Sequence, residues 1–170
     1  MNLPNYITLA RIVLAPFFVG LMIYHHYRFA VVVFLVACLT DALDGMLARL
    51  THTQTDLGAF LDPIADKLLI VSAFVTLALL KILPVWLVMV VVSRDLILVL
   101  GSMVIYFTGH EFIARPSLIG KTTTVFQLLV VTLALALKIY GLQSQWIPFL
   151  YWATAGLTVA SGIQYIARGT

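Results

Sequence analysis

The sequence predicts an all-α protein that crosses a membrane six times, and three observations support this fold class. First, 62% of the 170 residues are hydrophobic and 10% are charged, with a mean hydropathy of +1.08. A soluble domain carries about 25% charged residues, because water must solvate its surface. Second, six stretches reach the length of about 20 mostly apolar residues that a spanning helix needs. Third, the links between them are short, which predicts one membrane domain over residues 1–170.

The predicted spans follow one another along the chain. They cover residues 4–24, 29–50, 60–80, 84–107, 118–137 and 147–166. Pro4 suits a first helical turn, where the missing N–H is not needed. Arg11 interrupts the first apolar run, so we do not expect a cleavable signal peptide. An even number of spans puts both termini on one side, and a small excess of Lys and Arg there predicts that this side is cytoplasmic.

Composition excludes several other kinds of protein. The single cysteine excludes an internal disulfide and a cysteine-built metal site. The net charge is +3, yet the Lys and Arg residues are scattered singly, so nucleic acid is not a predicted partner. Basic residues near helix ends are instead expected to orient the protein and to contact anionic lipid.

Four aspartates are the most informative residues, because a charge at bilayer depth costs at least about 2.5 kcal/mol. Asp41 and Asp44 lie in the second span, and Asp62 and Asp66 lie at the start of the third. Helical spacing puts each pair on one face, and a short link makes the two spans antiparallel neighbours. Carboxylates this close repel one another unless they are protonated or neutralised. Opposed pairs therefore predict a site for a hard divalent cation, Mg²⁺ or Mn²⁺.

Other residues near these aspartates indicate a bulky anionic ligand. Gly45 and Gly58 remove side chains beside the carboxylates, so a ligand can approach the backbone. Arg49 lies five residues after Asp44, a position from which it could bind a phosphate. A charge in the fourth span, such as Arg94, can instead have a structural role and simply pair with an acid on another helix.

Eight residues at defined gaps resemble the signature of the CDP-alcohol phosphatidyltransferase family. The pattern D-x2-D-G-x2-A-R-x8-G-x3-D-x3-D is met in full by Asp41, Asp44, Gly45, Ala48, Arg49, Gly58, Asp62 and Asp66. Three further segments are similar to blocks of the phosphatidylglycerophosphate and cardiolipin synthases of this family. They are Pro4-Asn5 with Thr8-Leu9 and Arg11, then Ser93-Arg94-Asp95, and then Gly120-Lys121-Thr122-Thr123 with Gln127.

The resemblance implies a six-helix homodimer in a bacterial inner membrane, with an active-site cavity that faces the cytoplasm. The substrates would be CDP-diacylglycerol and a polar alcohol, and the products a phospholipid and CMP. Two divalent metal ions, Mg²⁺ or Mn²⁺, would be held by Asp41, Asp44, Asp62 and Asp66. Asp66 would also be the general base that deprotonates the acceptor hydroxyl. The CDP site would be formed by Asp41, Gly45, Ala48, Arg49, Asn5 and Thr8.

The acceptor is the least determined part of the function. Arg94, Arg115 and Lys121 are candidates for binding an anionic headgroup, which makes glycerol 3-phosphate the simplest acceptor. Arg115 and Lys121 can also be ordinary loop charges.

The Ser93-Arg94-Asp95 segment favours a different acceptor. Bacterial phosphatidylglycerophosphate synthases usually have Glu where this chain has Asp95, followed by a second arginine that this chain lacks. In this respect the segment resembles the cardiolipin synthases, whose acceptor is phosphatidylglycerol. Inositol phosphate and serine are further alternatives. Outside the enzymes, an ion-coupled transporter or a membrane scaffold would also carry intramembrane charges, although no inverted repeat is visible.

Overall fold

The computed structural model describes the backbone of residues 3–51, 56–108, 118–142 and 144–169, and the side chains of residues 12–40, 67–101, 118–142, 144–165 and 167. Within these ranges the chain forms helices and no strand. The helices are α1 (Leu3–Ile23), α2 (Tyr27–Thr51), α3 (Asp56–Leu79), α4 (Val85–Thr108), α5 (Leu118–Tyr140) and α6 (Ile147–Gly169). The predicted all-α class with six helices is confirmed.

The helices extend beyond the predicted spans, mostly where the sequence becomes polar. α3 begins at Asp56 rather than at Phe60, and α5 continues to Tyr140 rather than ending at Leu137. Hydropathy detects only the apolar part of a helix. The backbone hydrogen bonds continue into the polar flanks, and an acidic residue is favourable in a first turn.

The described parts of the helices pack in a closed ring. Going round it, α1 contacts α2, α2 contacts α5, α5 contacts α6, α6 contacts α4, α4 contacts α3, and α3 contacts α1. A further contact between α3 and α5 crosses the ring. Large apolar side chains fill its interior, and the rings of Phe18 and Phe34 lie 5.6 Å apart where α1 meets α2. In this order α4 lies between α6 and α3, the helix that carries Asp62 and Asp66.

Where side chains are described, the outer face of each helix is mostly apolar. Large exposed residues on the six helices include Phe17, Val32, Val75, Met89, Leu129 and Val159. Several polar side chains are buried instead, among them Arg94, Asp95 and Gln127. Apolar residues outside and polar residues inside are the arrangement expected for a protein in lipid. Among the described residues, α5 is the one helix that is both long and apolar enough to cross a membrane.

The ends of α1, α3 and α5 share one local geometry. Each of these helices is followed by a residue with positive φ: His25 (61°), Lys81 (57°) and Gly141 (63°). The next N–H donates to a carbonyl five residues earlier: His26 to Leu21, Ile82 to Leu77, and Leu142 to Leu137. This is the Schellman motif, which satisfies carbonyls that a helix end leaves without partners. We call this end of the bundle the turn end.

Candidate active site

The backbone of α2 and α3 carries the residues of the predicted metal and CDP sites. Residues 41–49 belong to α2, and residues 58–66 belong to α3. The helical geometry puts positions 41 and 44 on one face of α2, and positions 62 and 66 on one face of α3. Asn5 and Thr8 belong to α1, which packs against both helices. The side chains of these residues lie outside the described ones, so their roles stay predictions.

A cluster of charged side chains adjoins the motif. Asp95 of α4 accepts two hydrogen bonds on Oδ1, from Nη1 of Arg94 at 2.7 Å and from Nζ of Lys67 at 3.1 Å. Nη2 of Arg94 donates to Oγ of Ser161 on α6 at 2.5 Å. The cluster thus joins α3, α4 and α6, and Lys67 directly follows Asp66 in the chain. We call Lys67, Arg94, Asp95 and Ser161 the buried charge cluster.

The buried charge cluster is shielded from solvent but incompletely paired. The side chain of Asp95 is 0% exposed, that of Arg94 is 7% exposed and that of Lys67 is 20% exposed. Among the described side chains, two cationic groups face the one carboxylate of the cluster. Among the described residues, Oδ2 of Asp95 and Nε of Arg94 have no hydrogen-bond partner. An unpaired polar atom in a buried site is costly, which makes both atoms candidates for a ligand contact.

Polar side chains continue from the cluster along the inner faces of α5 and α6. Thr154, Thr158 and Ser161 are all buried and lie on one face of α6. On α5, the hydroxyl of Thr123 donates to the Leu157 carbonyl at 3.1 Å, across the contact with α6. The side-chain amide of Gln127 is fully buried, and neither its nitrogen nor its oxygen has a partner in the described part of the chain.

Sequence reasoning assigned no role to Lys67 or Ser161. The partner of Lys67 lies 28 residues away, and only the fold brings the two together. The polar stripe on α6 was detectable, because Thr154, Thr158 and Ser161 recur at spacings of four and three in an apolar helix. In a membrane helix, polar residues that recur at helical spacing indicate the face that packs inside the protein. In a soluble protein, recurring apolar residues indicate that face.

The three predicted acceptor residues have different surroundings. Arg94 is buried, and its two terminal nitrogens contact Asp95 and Ser161. Lys121 is exposed in the first turn of α5. Arg115 lies outside the described residues. The pairing of Arg94 matches the structural role considered from the sequence, although its acid is the next residue of its own helix. A role in acceptor binding stays a prediction for all three.

The chemistry of the four aspartates supports the predicted metal site, and their side chains lie outside the described ones. Among the described side chains, no group of three or more His, Cys, Asp or Glu residues lies close enough to hold a metal. The four aspartates fall outside that set. Two carboxylate pairs on helical backbone offer hard oxygen donors, which fit Mg²⁺ or Mn²⁺.

The chain belongs to the CDP-alcohol phosphatidyltransferase family, whose model matches residues 1–160. It is 33% identical to the CDP-diacylglycerol--glycerol-3-phosphate 3-phosphatidyltransferase of Bacillus subtilis, over 98% of this chain and 94% of that protein. It is 36% identical to a probable phosphatidylglycerophosphate synthase of Mycobacterium tuberculosis, over 98% of this chain and 81% of that one. It is also 34% identical to the human CMP-forming cardiolipin synthase, over 99% of this chain and 62% of that one.

The family match confirms the resemblance identified from the aspartate pattern. The chain is an enzyme, a transferase of phospholipid biosynthesis, and the transporter and scaffold alternatives are set aside. The relatives include enzymes named for two different acceptors. The family therefore shows the type of reaction, and its members differ in the acceptor alcohol.

Proposed function

We propose that this protein transfers the phosphatidyl group of CDP-diacylglycerol to glycerol 3-phosphate, giving phosphatidylglycerophosphate and CMP. The observation that carries the choice of acceptor is the buried charge cluster. Its two cationic groups outnumber its one carboxylate, and Lys67 follows Asp66 directly. Excess positive charge in a poorly solvated site attracts a small anionic acceptor more strongly than a neutral alcohol. The relatives named for glycerol 3-phosphate support the same acceptor.

The reaction is a displacement at the phosphorus that carries diacylglycerol. The acceptor oxygen forms a bond to this phosphorus, the bond from phosphorus to the CMP oxygen breaks, and CMP leaves with the bonding electrons. Asp66 takes the proton of the acceptor hydroxyl, a task for a carboxylate within hydrogen-bond reach. Arg49 binds the diphosphate, and Asn5, Thr8, Gly45 and Ala48 line the CDP site. Arg94, Lys121 and Arg115 bind the acceptor phosphate.

Asp41, Asp44, Asp62 and Asp66 would hold two divalent cations, and these would neutralise the diphosphate and the charge that develops on the leaving CMP. The protein's own contribution to this proposed site is to hold the four carboxylates of α2 and α3 close together. All six helices cross the membrane in this proposal, because each one has a large apolar residue on its outer face. The active site faces the cytoplasm, where CDP-linked lipids and glycerol 3-phosphate meet, and the active form is a homodimer.

A panel of acceptors tests the proposal. Purified protein is incubated with CDP-diacylglycerol, Mg²⁺ or Mn²⁺ and one acceptor at a time: glycerol 3-phosphate, phosphatidylglycerol, inositol phosphate or serine. CMP release and the mass of the lipid product are measured. We expect CMP and phosphatidylglycerophosphate with glycerol 3-phosphate, and no CMP after chelation of the metal. Folded protein that releases no CMP with glycerol 3-phosphate would contradict the proposal.

A cardiolipin synthase is the second candidate, and one specific observation favours it. The Ser93-Arg94-Asp95 segment has the shorter acid that resembles the cardiolipin synthases, and a relative with that name matches almost the whole chain. In the same panel, this function predicts cardiolipin as the product with phosphatidylglycerol as acceptor.

A further inference from the structure

A cavity of about 270 Å³ lies at the turn end, between the α1–α2 turn and the last turn of α5. Four of the residues that line it carry nitrogen donors: His25, His26, Arg28 and Lys138. Tyr27, Phe29 and Ile139 complete the lining. Arg28 and Lys138 come from helices that pack against each other, so the cavity belongs to the fold and not to one flexible segment.

The wall formed by the α1–α2 turn has a defined conformation. The Schellman motif holds His25 and His26 through hydrogen bonds to the carbonyls of Met22 and Leu21. Nδ1 of His25 lies 2.6 Å from the hydroxyl of Tyr27, in hydrogen-bond contact. The ring of His26 meets the ring of Phe29 edge-on at 6.4 Å. Donors held in this way lose little conformational freedom when a ligand binds.

Positive charge at the cavity is not balanced by acidic residues. No Asp or Glu occurs in the sequence before Asp41 or after Glu111, and none occurs from Lys67 to Arg94. The cavity lining and the whole turn end therefore consist of stretches without an acid. Among the described residues, Arg28 and Lys138 form no ion pair, and a guanidinium with an ammonium group suits a phosphate, which accepts a bidentate pair from Arg and a point charge from Lys.

Aromatic side chains mark the turn end as the level of the lipid headgroups. Among the described residues, the exposed aromatic side chains at this end are Tyr24, Phe29, Tyr140, Trp146, Phe149 and Trp152. The rings of Trp86 and Trp152 lie 4.8 Å apart at the starts of α4 and α6. Belts of Trp and Tyr are typical of the boundary between water and the hydrocarbon core.

An apolar stripe on α2 runs from the cavity toward the middle of the bundle. Phe29 is 66% exposed, Val32 is 58% exposed and Val36 is 51% exposed. Their spacings of three and four put them on one outer face of α2. A phosphate bound in the cavity would therefore have a continuous apolar surface beside it, as a headgroup with acyl chains requires and a free phosphate does not.

We propose that this cavity binds the phosphate of an anionic phospholipid, with Arg28 and Lys138 as the main contacts and the α2 stripe packing an acyl chain. The site lies apart from the catalytic motif. Arg28 and Asp41 are thirteen residues apart on one helix, which corresponds to about 20 Å along its axis. The cavity is a second lipid site at the opposite end of the bundle.

Photocrosslinking tests the assignment. The protein is reconstituted in phosphatidylcholine vesicles that contain a phosphatidylglycerol analogue with a diazirine near its headgroup, and the labelled peptides are identified by mass spectrometry. We expect adducts on residues 24–29 and 138–142. The double variant Arg28→Gln/Lys138→Gln should lose these adducts by about tenfold, because each basic residue near a membrane surface contributes to the attraction of anionic lipid. Lys81→Gln is the matched control, since it removes an exposed charge at the same end outside the cavity.

Three outcomes would overturn the proposal. The first is equal labelling of the double variant and the wild-type protein. The second is a loss of labelling in Lys81→Gln as large as in the double variant, which would indicate a general effect of surface charge. The third is displacement of the adducts by excess inorganic phosphate, which would indicate a site for free phosphate. Adducts on the α2 and α3 motif peptides report separately on the catalytic site, so a failure of the proposed function would be distinguishable.

Discussion

The buried charge cluster and the cavity at the turn end show two ways in which a membrane protein keeps cationic groups. In the cluster, Arg94 and Lys67 share the carboxylate of Asp95, and Arg94 is buried. At the turn end, Arg28 and Lys138 are exposed, and the nearby sequence has no acid. In the proposed membrane placement the difference follows from depth, because an unpaired charge is costly in the low-dielectric interior and inexpensive at the headgroup level. The paired cations of the cluster stabilise the fold besides serving the proposed acceptor site, whereas those at the turn end can meet a ligand without breaking an ion pair.

The largest expected effect concerns the catalytic end of the molecule. We expect Asp66→Asn to lower the rate of CMP release at least about a hundredfold. The reason is that an amide cannot act as the base that removes the proton from the hydroxyl of the acceptor. Binding of CDP-diacylglycerol should be largely retained. Steady-state CMP release and equilibrium binding of the CDP-lipid are the measurements.

The control for this variant is Asp56→Asn, which makes the same chemical change on α3 outside the motif. It should keep near-wild-type activity. If Asp66→Asn also keeps that activity, Asp66 is not the general base.

The second prediction tests whether the carboxylate of Asp95 stabilises the buried Arg94 and the partly buried Lys67. Asp95→Asn leaves two cationic groups without their carboxylate, and we expect a loss of about 3 kcal/mol or more in the free energy of unfolding. For a chain of this length, that loss lowers Tm by roughly 6–12 °C. Thermal unfolding in one detergent is the measurement.

Ser93→Ala provides the comparison for Asp95→Asn. The hydroxyl of Ser93 is exposed and donates to the Val90 carbonyl of the same helix, so little should change. If both variants lower Tm by the same amount, the carboxylate of Asp95 does not stabilise the cluster.

The third prediction concerns an exposed cation at the other end of α5 from Lys138. Lys121→Ala should raise the KM for glycerol 3-phosphate about tenfold, as expected when one charge-assisted contact is lost. The KM for CDP-diacylglycerol should change less. Lys81→Ala, which removes an exposed charge at the turn end, should leave both constants unchanged. An equal rise in both constants for Lys121→Ala would argue against an acceptor contact.

The smallest expected effect sharpens the description of the turn end. Lys81 adopts a positive φ that Gly tolerates without the steric cost of a Cβ atom. We expect Lys81→Gly to stabilise the protein by about 1 kcal/mol, which raises Tm by roughly 2–4 °C. Lys81→Ala removes the same charge and keeps the Cβ atom, so it should give no such gain. Gly141→Ala should have the opposite effect, and stabilisation by this variant would contradict the Schellman assignment.

Much of the fold was predictable because hydropathy and helix length are local properties. The number of helices and their order followed from runs of apolar residues, and the errors at helix ends occurred where residues such as Asp56 and Tyr140 extend a helix into a polar flank. The motif on α2 and α3 was predictable for a similar reason, since aspartates three or four residues apart lie on one face of a helix. The contact of Arg94 with Ser161 was not predictable, because the two are 67 residues apart and many helix arrangements fit the same spans.

By itself, the sequence determined the all-α class, the six helices and the family, since composition, periodicity and the spacing of eight motif residues are all read along one chain. Only the tertiary structure decided which helices are neighbours in the ring, which carboxylate pairs with Lys67, and that His25, Arg28 and Lys138 line one cavity. The physical reason is that burial and pairing are properties of contacts. In lipid, polar residues mark where helices meet, but only the packed bundle shows which polar residues face one another.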